Sequence, residues 1–332
     1  MGVAGVERRR RGPRGAPWLR NAGILALAIH CVACGRAPTM AVLVGSRPLT
    51  RIPAVDDCDD FGTSPLELDP NRPLTVLVHG CTASSGQYRP LASVFETHGH
   101  QTSCFSYDDR DRIDTSSGQL IESLDALSSM LDGQPITVIG HSQGGLVARR
   151  ALVGNRQDGR RPPARGRYRL VTVSSPLNGI RASEHCGMES LHVLAFGLTY
   201  GICMAITGDS WEDIHPRSEL VRRPGVLASN VVEYVRVVTD ERDTCRRYGA
   251  DGRCRQDDYV FSLEEQRNPH VDSDPRVTNV QIRAGHANVI GRPGVPPTEL
   301  IRVFREHQIL SDAPRGGSRA LSRLLAALYG PG

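Results

Sequence analysis

The sequence predicts an α/β fold in which helices cover both faces of a mostly parallel sheet. Short, nearly continuous apolar runs recur along the chain, with helical patterns between them. Such runs are typical of strands buried on both faces of a sheet. Because crossover helices join parallel strands, the alternation indicates a parallel sheet between two helical layers.

The elements can be placed from these patterns. Helices are predicted near 119–131, where leucines recur at helical spacing, over 146–152, and from Thr298 onward. The predicted strands are the apolar runs at 74–80, 101–107, 135–140, 168–175, 231–240 and 277–285.

Composition and charge narrow the class of protein. The chain has 332 residues, of which 39% are hydrophobic and 23% charged, as in globular proteins with a sizeable core. The net charge of +4 comes from residues 1–34, where six arginines and one glutamate give +5 and leave −1 for the rest. No basic face is implied, and a nucleic-acid partner is not expected.

The first 34 residues are typical of a bacterial export signal. An arginine-rich start precedes a short apolar run, too short to span a bilayer comfortably. The run ends in a weak match to a lipoprotein signal, in which Cys34 would be acylated. We therefore expect an export signal at 1–34, an N-terminal extension at 35–73 and the main domain at 74–332.

Seven cysteines follow Cys34, and an oxidising compartment would let several of them pair. Cys245 and Cys254 bracket a polar loop, and Cys186 and Cys203 bracket an apolar one, so each pair is predicted to close a local disulfide. Because seven is an odd number, at least one cysteine does not pair within the chain. The spacing does not fit a metal site.

Residues 188–207 are apolar over most of their length and interrupt the alternation of strands and helices. Two interpretations stand equally: a buried core helix, or an amphiphilic cap over an active site. In the second, 183–225 form a lid inserted in the main domain.

The segment Gly140-His141-Ser142-Gln143-Gly144 fits the pattern G-x-S-x-G. Small residues flank the serine in this pattern because its strand-to-helix turn leaves no room for larger side chains. A predicted strand precedes the segment and a predicted helix follows it, which is the context that the pattern requires. Ser142 is the predicted nucleophile.

A serine hydroxyl needs a histidine to accept its proton and a carboxylate to orient that histidine. His286 lies in the turn after the last predicted strand, where the base is expected. His270, in a Pro-rich loop, and His307, in the final helix, fit surface roles better.

The orienting acid has several candidates after the strand 231–240. Asp258 is favoured because Asp258-Tyr259-Val260-Phe261-Ser262 resembles an Asp-x-Val-Val-Pro pattern found in many hydrolases. Asp257 is the next choice, and Asp240 or Asp243 would serve if the acid directly follows the strand.

Acyl transfer also needs hydrogen-bond donors for the oxyanion that forms on the attacked carbonyl. The backbone N–H of Gln143, directly after the nucleophile, is one predicted donor. The backbone N–H of Cys81, in the turn after the strand 74–80, is the second.

With HGC, GHSQGG, SSPLNG and AGH in this order, residues 74–290 resemble bacterial lipases and related esterases of the α/β-hydrolase superfamily. Ser175-Pro176-Leu177-Asn178-Gly179 is similar to a segment that follows the strand after the nucleophile helix. The stretch 211–220 is similar to a segment downstream of the lid.

The resemblance implies hydrolysis of a carboxylic ester, such as a lipid ester, through an acyl-enzyme on Ser142. Some members of the family bind structural calcium, but no metal site is legible in this sequence, and neither a cofactor nor a metal is expected. Contact with a membrane or lipid surface would come through the cap or an acylated Cys34. A thioesterase, an acyltransferase and a non-catalytic lipid-binding envelope protein remain alternatives, because a fold does not fix function. The ester and the oligomeric state stay open.

Overall fold

The centre of the protein is a seven-stranded sheet, parallel except for one edge strand, with the strand order β1-β3-β2-β4-β5-β6-β9. A computed structural model gives the placement of residues 51–59, 66–156, 158–163, 165–181, 210–311 and 313–330. These residues all belong to one compact unit, Ser46–Gly332. The export signal predicted at 1–34 and most of the predicted lid lie outside the described residues.

The strands in chain order are β1 (Val55–Asp56), β2 (Leu74–Val78), β3 (Gln101–Phe105), β4 (Ile136–His141), β5 (Tyr168–Val173), β6 (Val231–Asp240), β7 (Cys245–Tyr248), β8 (Cys254–Asp257) and β9 (Val277–Arg283). Strands β7 and β8 form a separate two-stranded antiparallel hairpin.

The helices among the described residues are α1 (Arg89–Thr97), α2 (Ile113–Met130), α3 (Gln143–Ala151), α4 (Ser210–Asp213), α5 (Glu219–Arg222), α6 (Leu263–Gln266), α7 (Pro269–Asp272), α8 (Thr298–Glu306) and α9 (Gly317–Tyr329). Short 3₁₀ turns lie at Ser85–Tyr88 and Asn288–Ile290.

Every predicted strand is present, and the predicted α/β fold is confirmed. Strands β2 and β4 are buried along their whole length, which explains why their sequences are continuous apolar runs. Two apolar clusters, one on each face of the sheet, form the core. Because the strands are parallel, the loops after β4, β6 and β9 emerge at the same edge of the sheet, where the catalytic residues were predicted.

Three features differ from the expected layout. β1 pairs antiparallel with β3, so the sheet begins within the segment predicted to be an N-terminal extension. Helix α1, which has Pro90 in its first turn, was not predicted. The β7–β8 hairpin was also missed; most of its residues are exposed, so it has no buried apolar run to reveal it.

Two disulfides join described residues. Cys245 and Cys254 pair across the β7–β8 hairpin with a Cα–Cα distance of 5.8 Å, which confirms the predicted local bridge. Cys58 and Cys104 also pair and tie the segment after β1 to β3. The predicted partners Cys186 and Cys203 lie outside the described residues. Within the described ranges, no helix combines the length and apolar character needed to cross a membrane.

Candidate active site

The turn between β4 and α3 carries Ser142 in a left-handed backbone conformation, with φ 56° and ψ −128°. A non-glycine residue rarely adopts this conformation, and such strain is typical of functional turns. The turn projects Ser142 from the carboxyl edge of the sheet at the start of α3. The predicted strand, turn and helix are all present.

Neighbouring glycines let other chain segments approach this turn. A Cβ atom on Gly144 would lie 2.2 Å from the carbonyl oxygen of His79, and one on Gly145 would lie 2.0 Å from the Ser175 hydroxyl. A Cβ atom on Gly80 would lie 2.8 Å from Cβ of Ser142. The glycines are therefore needed to pack the loop after β2 directly against the serine.

His286 lies in the turn after β9, and its ring meets the serine. Nε2 of His286 is 3.1 Å from Oγ of Ser142, within hydrogen-bond distance of the proton that a base must accept. Phe261 packs edge-on against the imidazole, with the ring centroids 4.8 Å apart. The structure thus brings together two residues that are 144 positions apart in the chain.

The acid at the other ring nitrogen is Glu241 rather than the predicted Asp258. Oε1 of Glu241 is 3.1 Å from Nδ1 of His286, and the side chain of Glu241 is fully buried. Glu241 directly follows β6, the position considered for an acid adjoining the strand. The prediction from sequence missed Glu241 because only aspartates were considered at this position, although a glutamate supplies the same carboxylate.

Hydrogen bonds stabilise the charge of Glu241. Burial acts to raise the pKa of this carboxyl, but hydrogen bonds from His286, Ser174 and the Phe261 amide outweigh it and bring the pKa below its ordinary value. Oε2 accepts the backbone N–H groups of Val260 and Phe261 at 2.6 and 2.9 Å. Glu241 is therefore ionised at neutral pH.

Asp258 also lies beside the turn after β9, but its carboxylate binds backbone amides of that turn. Oδ1 accepts the N–H of Ala287 at 3.1 Å and Nε–H of Arg246 at 2.9 Å, while Oδ2 accepts the N–H of Asn288 at 2.9 Å. A Cβ atom on Gly285 would lie 2.1 Å from Oδ2, which explains the glycine before His286. These partners, and not the imidazole, occupy the carboxylate, so the prediction that Asp258 orients the ring is wrong.

The other predicted candidates lie away from the imidazole. Asp240 binds Arg242, whose hydrogen bond lowers the pKa of the Asp240 carboxyl to about 2. Asp243 is exposed and forms an ion pair with Arg283, and Asp257 lies at the exposed end of β8. The remaining histidine alternatives also lie elsewhere, with His270 exposed on α7 and His307 at the end of α8.

The two predicted oxyanion donors adjoin the nucleophile. Gln143 is the first residue of α3, and an amide in the first turn of a helix has no acceptor within that helix. Cys81 follows Gly80, which packs against Ser142. Asp109 fixes this loop, since its carboxylate accepts the Thr82 amide and a hydrogen bond from the Cys81 thiol.

The Cys81 thiol is kept protonated. Burial and the neighbouring carboxylate of Asp109 raise the pKa of Cys81 to about 12. Deprotonation would place a thiolate beside the aspartate, so the side chain of Cys81 is a poor nucleophile at neutral pH. Any contribution of Cys81 to an acyl transfer would therefore come through its backbone.

A buried histidine connects three segments of the site. Nε2 of His141 is 2.9 Å from the carbonyl oxygen of His286, so it carries the proton of the neutral ring and donates it. Nδ1 accepts the Tyr88 hydroxyl at 3.1 Å, and the backbone amide of Gly80 is hydrogen-bonded to that tyrosine. Burial, together with the neighbouring His286, lowers the pKa of His141 well below its usual range. A neutral His141 thus joins the turns that carry Ser142, His286 and Gly80.

Two serines contact His286, and their surroundings assign them different roles. Ser142 lies on the Nε2 side at the end of a strained turn, whereas Ser174 lies on the Nδ1 side, 2.8 Å from the ring and fully buried beside Glu241. Only a serine on the side opposite the carboxylate can give its proton to the imidazole while the acid orients the ring. Ser142, His286 and Glu241 are thus arranged as in a serine hydrolase.

Comparison with known proteins found one family model and several solved structures that resemble this chain. Residues 74–228 match the family model "Palmitoyl protein thioesterase". The mature form of lipase BlEst2 from Bacillus licheniformis aligns with a TM-score of 0.50 and 16% identity, covering 72% of this chain and 93% of the lipase. Its propeptide form aligns with a TM-score of 0.52 and 15% identity, covering 74% of this chain and 52% of that one. A search of curated protein sequences found no significant match.

The fold is therefore that of the α/β-hydrolases. The resemblance to bacterial lipases and esterases, inferred from the motifs, is confirmed at the level of the fold. Within the described residues, no group of three or more histidine, cysteine or acidic side chains is placed to hold a metal ion.

Proposed function

We propose that the protein is a serine hydrolase that cleaves carboxylic esters through an acyl-enzyme on Ser142. The observation that carries this proposal is the continuous set of contacts from Oγ of Ser142 through the His286 ring to the buried carboxylate of Glu241. A buried, ionised acid beside an imidazole that faces a strained serine is the arrangement that acyl transfer requires.

The reaction follows from these positions. Oγ of Ser142 attacks the ester carbonyl carbon while Nε2 of His286 accepts the hydroxyl proton. The negative charge of Glu241 stabilises the imidazolium that forms. Backbone amides of Gln143 and Cys81 receive the oxyanion, and one such donor contributes about 3 to 4 kcal/mol.

Collapse of the tetrahedral intermediate then releases the alcohol. His286 returns its proton to the leaving oxygen, which gives a neutral alcohol and an acyl-Ser142 ester. Water, deprotonated by the same imidazole, attacks the acyl carbonyl carbon. The bond between this carbon and Oγ of Ser142 then breaks, His286 returns the proton to Oγ, and the carboxylic acid leaves. One base therefore serves both halves of the reaction, without a metal or cofactor in these steps.

Turnover of p-nitrophenyl esters of graded acyl length tests the proposal. The wild-type protein should hydrolyse them and be labelled by a fluorophosphonate at Ser142. Ser142→Ala should lower kcat by at least about 10⁴-fold and abolish labelling, because the nucleophile is lost. Ser123→Ala is a matched control, since it removes a buried hydroxyl from α2, whose partners are the carbonyl oxygens of Pro53 and Gln119.

The control should retain activity within about twofold. Absence of both turnover and labelling in the folded wild-type protein would refute the enzyme proposal and favour a non-catalytic lipid-binding role. The acyl length of the best substrate would separate a lipase from an esterase of short acyl chains. An added alcohol acceptor that diverts the acyl group from water would indicate an acyltransferase.

A thioester is the second candidate substrate, and the match of residues 74–228 to a palmitoyl protein thioesterase model is the observation that favours it. The same acyl-enzyme would form, with a thiol as the leaving group. Matched acyl esters and thioesters of one chain length separate the two classes. A higher kcat/KM for the thioester across the series would assign the protein to thioester hydrolysis.

Export is part of the proposal. Two disulfides among the described residues are compatible with an oxidising compartment. We therefore place the protein outside the cytoplasm, either secreted or in the cell envelope, with 1–34 as its signal. An acylated Cys34 or a cap at 183–225 would bring it to a lipid surface, and mass spectrometry of the mature N-terminus would identify the first of these.

A further inference from the structure

Ser174 lies at the end of β5, between the proposed acid and the proposed base. Its Oγ is 2.6 Å from Oε1 of Glu241 and 2.8 Å from Nδ1 of His286. The direct distance from Nδ1 to Oε1 is longer, at 3.1 Å. The imidazole is therefore nearer to the serine hydroxyl than to the carboxylate itself.

The hydroxyl of Ser174 has three polar neighbours, the side chains of Glu241, His286 and Thr239. A hydroxyl donates one hydrogen bond and accepts two. Ser174 donates to Glu241, because the carboxylate has no proton to give, and it accepts Nδ1–H of His286. The hydroxyl of Thr239 has one proton and two acceptors at similar distances, the second lone pair of Ser174 at 2.8 Å and Oε1 of Glu241 at 2.9 Å.

The backbone of Ser174 adds a second observation. Its φ is 46°, in the left-handed region that non-glycine residues rarely occupy, and the residue is fully buried. Holding a non-glycine residue in this conformation costs free energy. A hydroxyl with three polar partners at this position is consistent with a role in the site.

We infer that Ser174 is a positioning residue that bridges Glu241 and His286 and orients the imidazole towards Ser142. The inference deepens the proposed function and rests on it. In this arrangement Nδ1–H is shared between the Ser174 hydroxyl and the carboxylate. Because both acceptors face Nδ1, the ring proton stays on this nitrogen and Nε2 is free to accept the proton of Ser142. Rotation of the ring would break both contacts.

The inference predicts two effects of Ser174→Ala. First, kcat/KM should fall by about 10- to 100-fold, less than on loss of the acid, because the contact between Nδ1 and Glu241 remains. Second, the midpoint of the acid limb of kcat/KM should move to lower pH, because the imidazolium loses an acceptor that stabilises its charge. The other titratable or charged groups near the ring, Glu241, His141, Asp258 and Arg246, are unchanged in this variant.

A second variant, Ser174→Gly, controls for misfolding of Ser174→Ala. Ser174→Gly also lacks the hydroxyl but adopts a positive φ without strain. It should show the same loss of kcat/KM and the same shift of the acid limb as Ser174→Ala. Ser123→Ala is again the matched control, since its hydroxyl donates to the carbonyl oxygens of Pro53 and Gln119, and it should keep both kcat/KM and the acid limb of the wild type.

The results separate two failures. If the wild type neither turns over esters nor reacts with a fluorophosphonate, the proposed function fails. If the wild type is active and both Ser174 variants keep its kcat/KM within twofold, only the role of Ser174 is overturned. A loss of kcat/KM without any shift of the acid limb would assign the loss to packing and would also overturn the inference.

Discussion

Glu241 and Asp258 are both buried carboxylates near His286, but they bind different parts of the turn that carries this histidine. Glu241 contacts the ring through Nδ1, whereas Asp258 accepts backbone amides of the two residues that follow the histidine. One carboxylate thus orients the imidazole and the other fixes the turn that carries it. Burial and proximity to a histidine therefore do not identify a catalytic acid, because the role of a carboxylate depends on the groups that its oxygens bind.

The two carboxylates also reach the site by different routes. Glu241 extends directly from β6 in the central sheet, whereas Asp258 follows the β7–β8 hairpin, which is closed by the Cys245–Cys254 disulfide. Arg246 of this hairpin binds the carboxylate of Asp258. The hairpin therefore adds a stabilising clamp on the histidine turn beside the acid that the sheet itself supplies.

Glu241→Gln should have the largest effect among the variants that test this contrast. Because two backbone amides face Oε2, the glutamine will turn its oxygen to them and its NH₂ group to Nδ1, which favours the wrong imidazole tautomer. We expect kcat to fall by about 10³- to 10⁴-fold in steady-state ester hydrolysis. Retention of kcat within tenfold would show that Glu241 is not the orienting acid.

Asp258→Asn should have the opposite effect, with a loss of stability and only a small loss of kcat. Each carboxylate oxygen of Asp258 accepts a backbone amide, so the NH₂ group of asparagine must face a donor and leave a polar group unsatisfied. We expect the free energy of unfolding to fall by about 2 to 3 kcal/mol, measured by urea denaturation, and kcat to fall by no more than about tenfold. A loss of kcat as large as that of Glu241→Gln, without a loss of stability, would restore Asp258 as the acid.

The smallest expected effect is the pH dependence of stability. The pKa of Glu241 is lowered in the folded protein, so its contribution to stability is complete above the ordinary glutamate pKa of 4.5 and is lost as pH falls through the lower, folded value. Below pH 4.5, the unfolding free energy of the wild type should therefore fall more steeply than that of Glu241→Gln. Denaturation curves of both proteins between pH 6 and pH 3.5 measure the difference.

Two histidines that do not contact Glu241, His100 and His141, contribute to both curves. Burial lowers the pKa of His100 to about 4 and that of His141 further below its usual range. Their protonation favours the unfolded chain as pH falls below about 6.5. Parallel curves below pH 4.5 would contradict the favourable environment of the Glu241 carboxylate.

The strands and the nucleophile turn were predictable because they depend on local sequence. A strand buried on both faces requires an apolar run, and the turn at Ser142 requires glycines where other segments pack closely. Edge strand β1 and the exposed β7–β8 hairpin lack such constraints, and their sequences gave no comparable signal.

The sequence by itself determined the parallel α/β fold, the strand-turn-helix with its glycines around Ser142, the proposed nucleophile, and the local disulfide between Cys245 and Cys254. Only the tertiary structure decided that the carboxylate of Glu241 contacts the ring of His286, and that Ser174 lies between these two side chains. The reason is physical: Ser174, Glu241 and His286 end three adjacent strands of a parallel sheet, so their contacts depend on strand order and register. A motif such as that around Asp258 records the residue types of a site, but the partners of each oxygen are set by segments far away in the chain.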